Sequence, residues 1–484
     1  MSGILEKFIQ ITSEFSRIQK LPQPYKDKDD NFPFPRQLRT GNDRYITISK
    51  SIDQLIADVA RTMRNNSSLK SHFAASDYLA LVKQAFGPAL AKVDINAPTK
   101  NAQPLLAEVE KKVSEMADRA LNDGGREYAF GCTLFTYDDF PEFEIGPARF
   151  EPRLVWLDRK TSDGCWVKVS DNGLIKKFEH QLSDGPISKT IKQRITQAWQ
   201  GEILKPQEPS FENRYEDVVL KAIDRCPYVC SVKVPGAGGK SSKDKALLAS
   251  RLALTTISLI WESSSKALDG INLHFDREMR NQYLLSFTPE GLILGSGTTS
   301  NMPHAPWTNR TELENFFQEF SLIFRISGEA INWLINPTQE HDKPKLLNVI
   351  SQAMLWFHDG CREITDIKAI VCFASCMDVL ASGGGQKDIC KLINARLGLD
   401  ESSPIHRDGL TVKEVINQIY DDGRTRFVHG PMKFGKNVWK NKLGNDWSET
   451  RGLAEWLARM CLINSMEWIS ANTGSDNPAL LLTE

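Results

Sequence analysis

The sequence lacks any apolar run long enough to cross a lipid bilayer. Its most apolar stretch, Ala246–Trp261, carries Arg251 and has about 16 residues, whereas a membrane-spanning helix needs roughly 20. The N-terminal stretch Met1–Gln19 alternates charged and apolar residues and has no uninterrupted apolar core of the kind found in a signal peptide. We therefore expect a buried helix and an amphipathic helix, and no membrane partner.

The chain also lacks an excess of charge and a disulfide pattern. Lys and Arg number 60 against 61 Asp and Glu, so the formal net charge is -1. No chain-wide basic field exists to bind nucleic acid, and any anion-binding surface must be local. Nine cysteines, odd in number and scattered, do not form the framework of a small secreted protein. The cysteine pattern favours a cytoplasmic location.

What the sequence does contain is two kinds of periodicity. With 484 residues, the chain has room for about three domains. Helical periodicity gives way to strand patterns at Gly124, and after Asn309 only helical patterns are present. We predict an α+β N-terminal region followed by an all-α helical bundle. The expected units are an α+β region over 1–205, an α/β region over 206–305 and a helical domain over 310–475.

A short motif stands out in the helical part. The segment Ile419–Pro431 (IYDDGRTRFVHGP) contains Arg424 and, after four intervening residues, His429. Such spacing alone is weakly specific. Here, however, a predicted helix over Thr411–Asp421 ends near the start of the motif, Gly430 follows the histidine, and a second long helix is predicted after it. The context makes this segment the strongest candidate for a functional site.

The segment resembles the signature of the Apea-like branch of the HEPN superfamily, whose members are small helical bundles. The family pattern is Tyr, Asp, a spacer, Arg, Ser, two or three residues, and Val-His-Gly. Its places are held here by Tyr420, Asp421, Arg424, Thr425, Val428, His429 and Gly430. Members also have an acid near the centre of an upstream helix and an Arg on the next helix. Asp378 and Arg396 are the matching residues, and the resemblance covers roughly Thr365–Ala471.

The resemblance implies a metal-independent endoribonuclease without a cofactor, in which Arg424 and His429 are catalytic and Asp378, Arg396 and Thr425 have supporting roles. It further implies a homodimer, or a higher even oligomer, formed through the C-terminal domain, and products with 2′,3′-cyclic phosphate ends. Members of the branch occur in prokaryotic toxin and phage-defence proteins, where an attached region senses infection and releases cleavage of RNA, often tRNA. The expected partners are therefore RNA and a phage-derived trigger or an inhibitory partner.

Helix geometry and side-chain chemistry constrain how such a site is built. Five residues along a straight α-helix rotate by about 500°, which leaves Arg424 and His429 roughly 140° apart. Either the helix breaks near Gly423 and Gly430, or two copies of the motif build a shared site. His429 can transfer a proton near neutral pH, and Arg424 can bind a phosphate. This pair suits attack of an RNA 2′-hydroxyl on the adjacent phosphate, a reaction that DNA cannot undergo.

A cationic strip surrounds the motif, because residues 423–445 include no acidic side chain. Basic and aromatic residues interleave there, a composition suited to a track for single-stranded RNA. The predicted RNA-binding residues are Arg426, Lys433, Lys436, Trp439, Lys440 and Lys442.

Two other interpretations are open from the sequence. One is a non-catalytic helical module that binds RNA or a protein. The other is a metal-dependent nuclease, in which Asp158 and Lys160 close an apolar strand over Leu154–Lys160. The carboxylate would then hold Mg²⁺ and the lysine would support the attacking water.

Overall fold

The computed structural model describes most of the chain. The described residues are 2–22, 25, 35–40, 45–122, 126–134, 140–162, 167–170, 182–185, 189–206, 211–224, 226–235, 240–274, 276, 281–289, 293–300, 309–336, 339–428, 447–472 and 474–483.

Within these ranges, no single helix has both the length and the apolar composition needed to cross a membrane. One pair of helices bent by 72°, Asp366–Leu380 and Gly385–Leu397, meets both criteria when the two are taken together.

The first part of the chain folds around its own core. Its elements are α1 (Ser2–Gln19), β1 (Gln37–Arg39), β2 (Tyr45–Thr47), α2 (Lys50–Asn65), a short 3-10 helix (Ser68–Ser71), α3 (Ala75–Leu90) and α4 (Pro98–Asn122). The Ser49 side chain accepts the N–H of Ile52 and caps α2. The rings of Phe8 and Phe86 stack with 5.2 Å between their centres. The buried members of this hydrophobic cluster run from Phe8 to Ala117.

A five-stranded antiparallel sheet forms the second part. The elements from 126 to 300 are β3 (Arg126–Thr133), β4 (Phe143–Ile145), β5 (Ala148–Pro152), α5 (Arg153–Ser162), β6 (Val167–Ser170), β7 (Leu182–Gly185), α6 (Lys189–Trp199), α7 (Phe211–Ile223), β8 (Tyr228–Val234), α8 (Lys240–Ser258), α9 (Ser264–Gly270), β9 (Asn272–Leu273), β10 (Asn281–Phe287) and β11 (Ile293–Ser300). The sheet order is β4-β5-β8-β3-β9, and the pairs β6-β7 and β10-β11 form separate hairpins. Strand β8 lies in the middle of the sheet and is buried except at Lys233, which explains its nearly continuous apolar sequence.

The predicted strand over Leu154–Lys160 is wrong, because these residues belong to helix α5. Trp156 and Leu157 are both buried, whereas Leu154 and Val155 are 43% and 44% exposed. Neighbouring residues of a strand face opposite sides, so two adjacent buried side chains fit a helix better. Together with side chains of α6 and α7, this buried pair belongs to a small cluster of its own.

Helices form the remainder of the chain. They are α10 (Arg310–Glu319), α11 (Ser321–Ile335), α12 (Pro344–Arg362), α13 (Asp366–Leu380), α14 (Gly385–Leu397), α15 (Val412–Asn417), a π-helical segment (Gln418–Thr425), α16 (Arg426–Val428), α17 (Trp447–Ala471) and a 3-10 helix (Pro478–Leu482). Within the described residues beyond Asn309, the one β-type pairing is an isolated bridge between Pro404 and Thr411. The broad prediction of an α+β N-terminal region followed by a helical C-terminal part is confirmed, since a small sheet precedes the C-terminal helices.

The sheet and the C-terminal helices share one hydrophobic core. Buried residues from Cys132 on β3 to Leu481 in the last 3-10 helix belong to a single cluster. A polar contact joins the same two parts, since Arg459 on α17 donates to the carbonyl of Leu259 at 2.6 Å. This core therefore crosses the predicted boundary near residue 305.

Two glycines mark a close approach between the sheet and the helices. Gly146 lies in the turn between β4 and β5 with φ +57°, and Gly328 lies on α11. A Cβ added to Gly328 would lie 2.5 Å from the backbone nitrogen of Gly146, and one added to Gly146 would lie 2.4 Å from the carbonyl oxygen of Gly328. The two backbones therefore touch directly, which only glycine permits.

Candidate functional site

The part of the motif that the structure describes, 419–428, lies on a helix that runs further than the sequence predicts. Helix α15 follows a capping box at Thr411, and the chain then winds as a π-helix over Gln418–Thr425 before returning to α-helix as far as Val428. The predicted helix end near Tyr420 is wrong. Of the predicted breaks near Gly423 and Gly430, the first does not occur, and the second lies outside the described residues. Single π-helical turns inside α-helices occur frequently at functional sites, so the changed winding coincides with the candidate motif.

Gly423 allows the π-helical segment to pack closely against α13. A Cβ at this position would lie 2.7 Å from Cγ2 of Ile370, a distance that carbon atoms do not adopt without displacement of a neighbour. Both residues are buried. Because glycine has no side chain, the segment lies directly on α13, and Arg424 comes next to Asp378.

The Arg424 guanidinium is held by two side chains. Its Nη1 donates to the Tyr420 hydroxyl at 2.6 Å, and its Cζ lies 4.8 Å from the centre of the Tyr420 ring. Its Nη2 lies 3.2 Å from Oδ2 of Asp378. The Arg424 side chain is 29% exposed and that of Asp378 is 13% exposed. An arginine has five N–H donors, so this one is fixed in position and keeps donors for a further acceptor.

Asp378 also closes the turn between α13 and α14. Its Oδ1 accepts the backbone N–H of Gly385 at 3.0 Å, and its backbone carbonyl accepts the N–H of Gly383 at 2.8 Å. Gly385 has φ +68°, and a Cβ there would lie 3.3 Å from the Tyr420 hydroxyl. We name Asp378, Gly385, Tyr420 and Arg424 the Arg424 cluster. The sequence pattern identified Asp378, Tyr420 and Arg424, but no sequence signal marked the part played by Gly385.

Arg396, the other predicted supporting arginine, makes its contacts elsewhere on the bundle. Its guanidinium lies over the ring of Trp468, with 5.0 Å between Cζ and the ring centre, and Nη2 donates to the carbonyl of Thr483. Burial lowers the pKa of Arg396 from its ordinary value. The structure thus brings Asp378 and Arg424 together and leaves Arg396 against the C-terminal residues.

Several predicted residues lie outside the described part of the chain. They are His429, Lys433, Lys436, Trp439, Lys440 and Lys442. The side chain of Arg426 also lies outside it, and Thr425 is half-buried at the end of the π-helical segment. The described helix ends at Val428, immediately before the histidine, and Phe427 and Val428 are 40% and 56% exposed. The last described residues of the helix, beyond the Arg424 cluster, therefore carry exposed apolar side chains.

The residues of the metal-nuclease alternative have ion-pair partners of their own. Oδ1 of Asp158 lies 2.6 Å from Nζ of Lys192, and Nζ of Lys160 lies 2.5 Å from Oε2 of Glu127. Two residues apart on α5, Asp158 and Lys160 are separated by about 200° around the helix. In the part of the chain that the structure describes, no group of three or more His, Cys, Asp or Glu side chains is placed to hold a metal ion.

Comparison with known proteins adds no relative to this description. No protein-family model, curated protein or solved structure matches the chain. The site is therefore characterised by its own geometry, a part-exposed guanidinium fixed between a carboxylate and a phenol, and by the motif in which it lies.

Proposed function

We propose that this protein is a metal-independent endoribonuclease of the HEPN type, whose C-terminal helices carry the RNA-cleaving site. In this proposal it is a regulated toxin or anti-phage effector of the cytoplasm, with tRNA among its candidate substrates. The N-terminal region is the sensor or regulator and responds to a phage-derived trigger or to an inhibitory partner.

One observation above all supports the proposal. The Arg424 guanidinium is held by Tyr420 and Asp378 yet stays 29% exposed, and Arg424 precedes His429 by five positions in the sequence. A guanidinium fixed before the substrate arrives loses little conformational entropy when it binds a phosphate. The held guanidinium therefore suits a preorganised phosphate-binding group, and His429 is the proposed acid–base group.

The proposed reaction needs no metal ion. The RNA 2′-hydroxyl loses its proton and attacks the adjacent phosphorus, and the 5′-oxygen of the next nucleotide leaves with a proton. The products carry a 2′,3′-cyclic phosphate and a 5′-hydroxyl. His429 acts as acid or base in these proton transfers, and Arg424 donates to the non-bridging oxygens, where negative charge increases in the transition state.

The proposed site is shared between two protomers. One motif supplies a single imidazole, whereas the reaction has one proton to remove and another to deliver. Two motifs that meet across a two-fold axis supply two imidazoles and two guanidiniums to one cleft. The proposed assembly is therefore a homodimer, or a higher even oligomer, through the C-terminal helices.

The test is cleavage of labelled single-stranded RNA and of tRNA by the full-length protein in EDTA. We expect cleavage by the wild type, and a loss of about 100-fold or more in His429→Ala and Arg424→Ala, since acid–base groups and charge-stabilising donors each contribute factors of this size. His341→Ala and Arg407→Ala are matched controls in the same helical part. The Arg407 side chain is 80% exposed, and both controls should retain wild-type cleavage.

A regulated effector is inactive without its trigger, so the same variants are also assayed in lysate from phage-infected cells. Equal cleavage by the wild type and His429→Ala contradicts the proposal, as does the absence of wild-type cleavage under both conditions. Cleavage that EDTA abolishes would instead favour the metal-dependent alternative at Asp158 and Lys160.

One observation favours a second function, that of a non-catalytic helical module which binds RNA or a protein. The Arg424 guanidinium already has a phenol and a carboxylate as partners, as does an arginine that only stabilises the fold. If this function is correct, Arg424→Ala lowers the free energy of unfolding, and the wild type binds RNA in a gel-shift assay without cleaving it.

A further inference from the structure

A cavity of about 860 Å³ lies among the helices of the N-terminal part. Its lining comes from α1, α2, α3 and α4, and includes the apolar side chains of Ile4, Leu5, Met63 and Leu106. Small-molecule sites in proteins have volumes of about 300–1,000 Å³ and are lined mostly by apolar side chains with a few polar groups. The cavity belongs to a different hydrophobic cluster from the Arg424 cluster, so it is not part of the proposed RNA-cleaving site.

Tyr78 is the buried polar side chain in this lining. It is 2% exposed, and within the described part of the chain its hydroxyl has no hydrogen-bond partner. The hydroxyl oxygen is not fully buried, so a molecule in the cavity can reach it. Burial, with a smaller contribution from the nearby Glu110 carboxylate, raises the pKa of the Tyr78 phenol. The phenol therefore stays protonated, and its oxygen can accept a hydrogen bond from a molecule in the cavity.

Glu110 supplies a negative charge to the lining of the same cavity, from an exposed position on α4. Its carboxylate lines the cavity, acts on the Tyr78 phenol and has no ion-pair partner among the described residues. A carboxylate and a phenol oxygen that line one cavity can both accept hydrogen bonds from an ammonium group. Lys7 also lines the cavity and is the one group there that would favour an anion instead.

We propose that this cavity is a binding site for a small amphipathic amine, whose apolar body packs against the aliphatic lining and whose protonated amino group donates to Glu110 and Tyr78. The site goes beyond the proposed ribonuclease activity and requires no RNA. Its test therefore succeeds or fails independently of that activity.

The test is a calorimetric titration of the full-length protein with decylamine, decanoate and decan-1-ol, each below the concentration at which it aggregates. The three probes share one apolar body and differ in the charge of the head group. We expect one decylamine to bind per chain, at least about tenfold more tightly than decanoate. Tyr78→Phe removes only an unpaired hydroxyl and should weaken decylamine binding about threefold to tenfold. Glu110→Gln should abolish the preference for the amine over the alcohol.

Two tryptophan variants of α4 locate the binding. Ser114→Trp places a large side chain at the exposed rim of the cavity and should abolish binding of decylamine. Lys111→Trp, at a position that is 77% exposed and does not line the cavity, is the matched control and should bind as the wild type does. Circular dichroism verifies that every variant is folded. The proposal is overturned if decylamine shows no saturable binding, if decanoate binds most tightly, or if both tryptophan variants bind decylamine equally well.

Discussion

At the scale of single residues, Asp378 joins two features that are distant in the sequence. One carboxylate oxygen faces the Arg424 guanidinium, and the other accepts the N–H of Gly385. We predict that Asp378→Ala lowers the free energy of unfolding by about 1–3 kcal/mol, because it leaves a half-buried N–H without its acceptor. Urea unfolding followed by circular dichroism measures this loss.

A matched control lies on the same helix. Asp366 pairs with Arg451 at 3.0 Å, and its side chain is 39% exposed. The Arg451 side chain is 20% exposed, and partly exposed ion pairs of this kind contribute little, so Asp366→Ala should change the free energy of unfolding by no more than about 1 kcal/mol. An equal loss in the two variants would show that the turn contact of Asp378 does not stabilise the fold.

The buried ring of His358 should make the free energy of unfolding depend on pH. The ring is buried, with Nδ1 2.8 Å from the Thr255 hydroxyl. Burial, assisted by the positive charges of Arg362 and Arg251, lowers the pKa of His358 to about 3. The unfolded value is about 6.5, so the stability contributed by the neutral ring is fully present above that pH and is lost as the pH falls towards about 3.

We therefore expect wild-type stability to fall more steeply with acidification than that of His358→Gln, which keeps a hydrogen-bonding group near Thr255. Between about pH 6 and pH 4 the difference in slope should be about 1.4 kcal/mol per pH unit. Urea unfolding at a series of pH values measures both slopes. Parallel curves for the two proteins would mean that His358 accepts a proton in the folded state.

Individual site residues could be selected from the sequence, but most of their contacts could not. Motif spacing identified Arg424, and the resemblance pointed to Asp378, and the structure brings the two together. Arg396 matched the same pattern but contacts Trp468 instead. The bond from Gly385 to Asp378 depends on how the turn after α13 packs, and no local pattern of residues encodes that packing.

At the scale of elements, the contact between the π-helical segment and α13 depends on Gly423. Gly423→Ala places a methyl group against Ile370 and should lower the free energy of unfolding by about 1–3 kcal/mol. Gly452 on α17 is the matched control, because a Cβ there meets nothing within 4 Å. Gly452→Ala should raise the free energy of unfolding by about 0.5–1 kcal/mol. Thermal and urea unfolding of both variants would contradict the tight contact if the two changes had the same sign.

Helices and strands could be predicted where the hydrophobic pattern extended over many residues. The predictions failed where the pattern was short. The apolar run Leu154–Asp158 is too short to separate a strand from a helix by pattern alone, and it forms part of α5. The capping residue Thr411 marks the start of α15 in the sequence. The π-helical winding over Gln418–Thr425 had no such signal, because a change from one helical hydrogen-bond register to another follows from packing against α13.

At the scale of the whole molecule, the division of the hydrophobic clusters predicts which fragments fold. A fragment of residues 1–122 contains a complete cluster and should unfold cooperatively. A fragment of residues 310–484 lacks the sheet and α8, which share its core. It should lack near-ultraviolet circular dichroism and bind the dye ANS, as a molten globule does. A fragment of residues 126–484 restores the shared core and is the control.

The predicted order of regions is confirmed broadly, whereas the extent of each packing unit could not be derived from periodicity. A helical pattern shows that a helix has an apolar face, but not which element covers that face. Phe317 on α10, for example, lies 5.3 Å from Phe140 and 4.6 Å from Phe143, measured between ring centres. These contacts join the C-terminal helices to the sheet across the boundary that the sequence suggested.

The contact between Gly146 and Gly328 has a consequence for how this architecture can vary. At most interfaces between packed layers of secondary structure, a larger residue on one side can be offset by a smaller residue on the other. Here main chain meets main chain, so no neighbouring side chain can shrink to make room. Any residue but glycine at either position would push the β4-β5 hairpin away from α11. The hairpin and the helix therefore already lie as close together as their backbones allow.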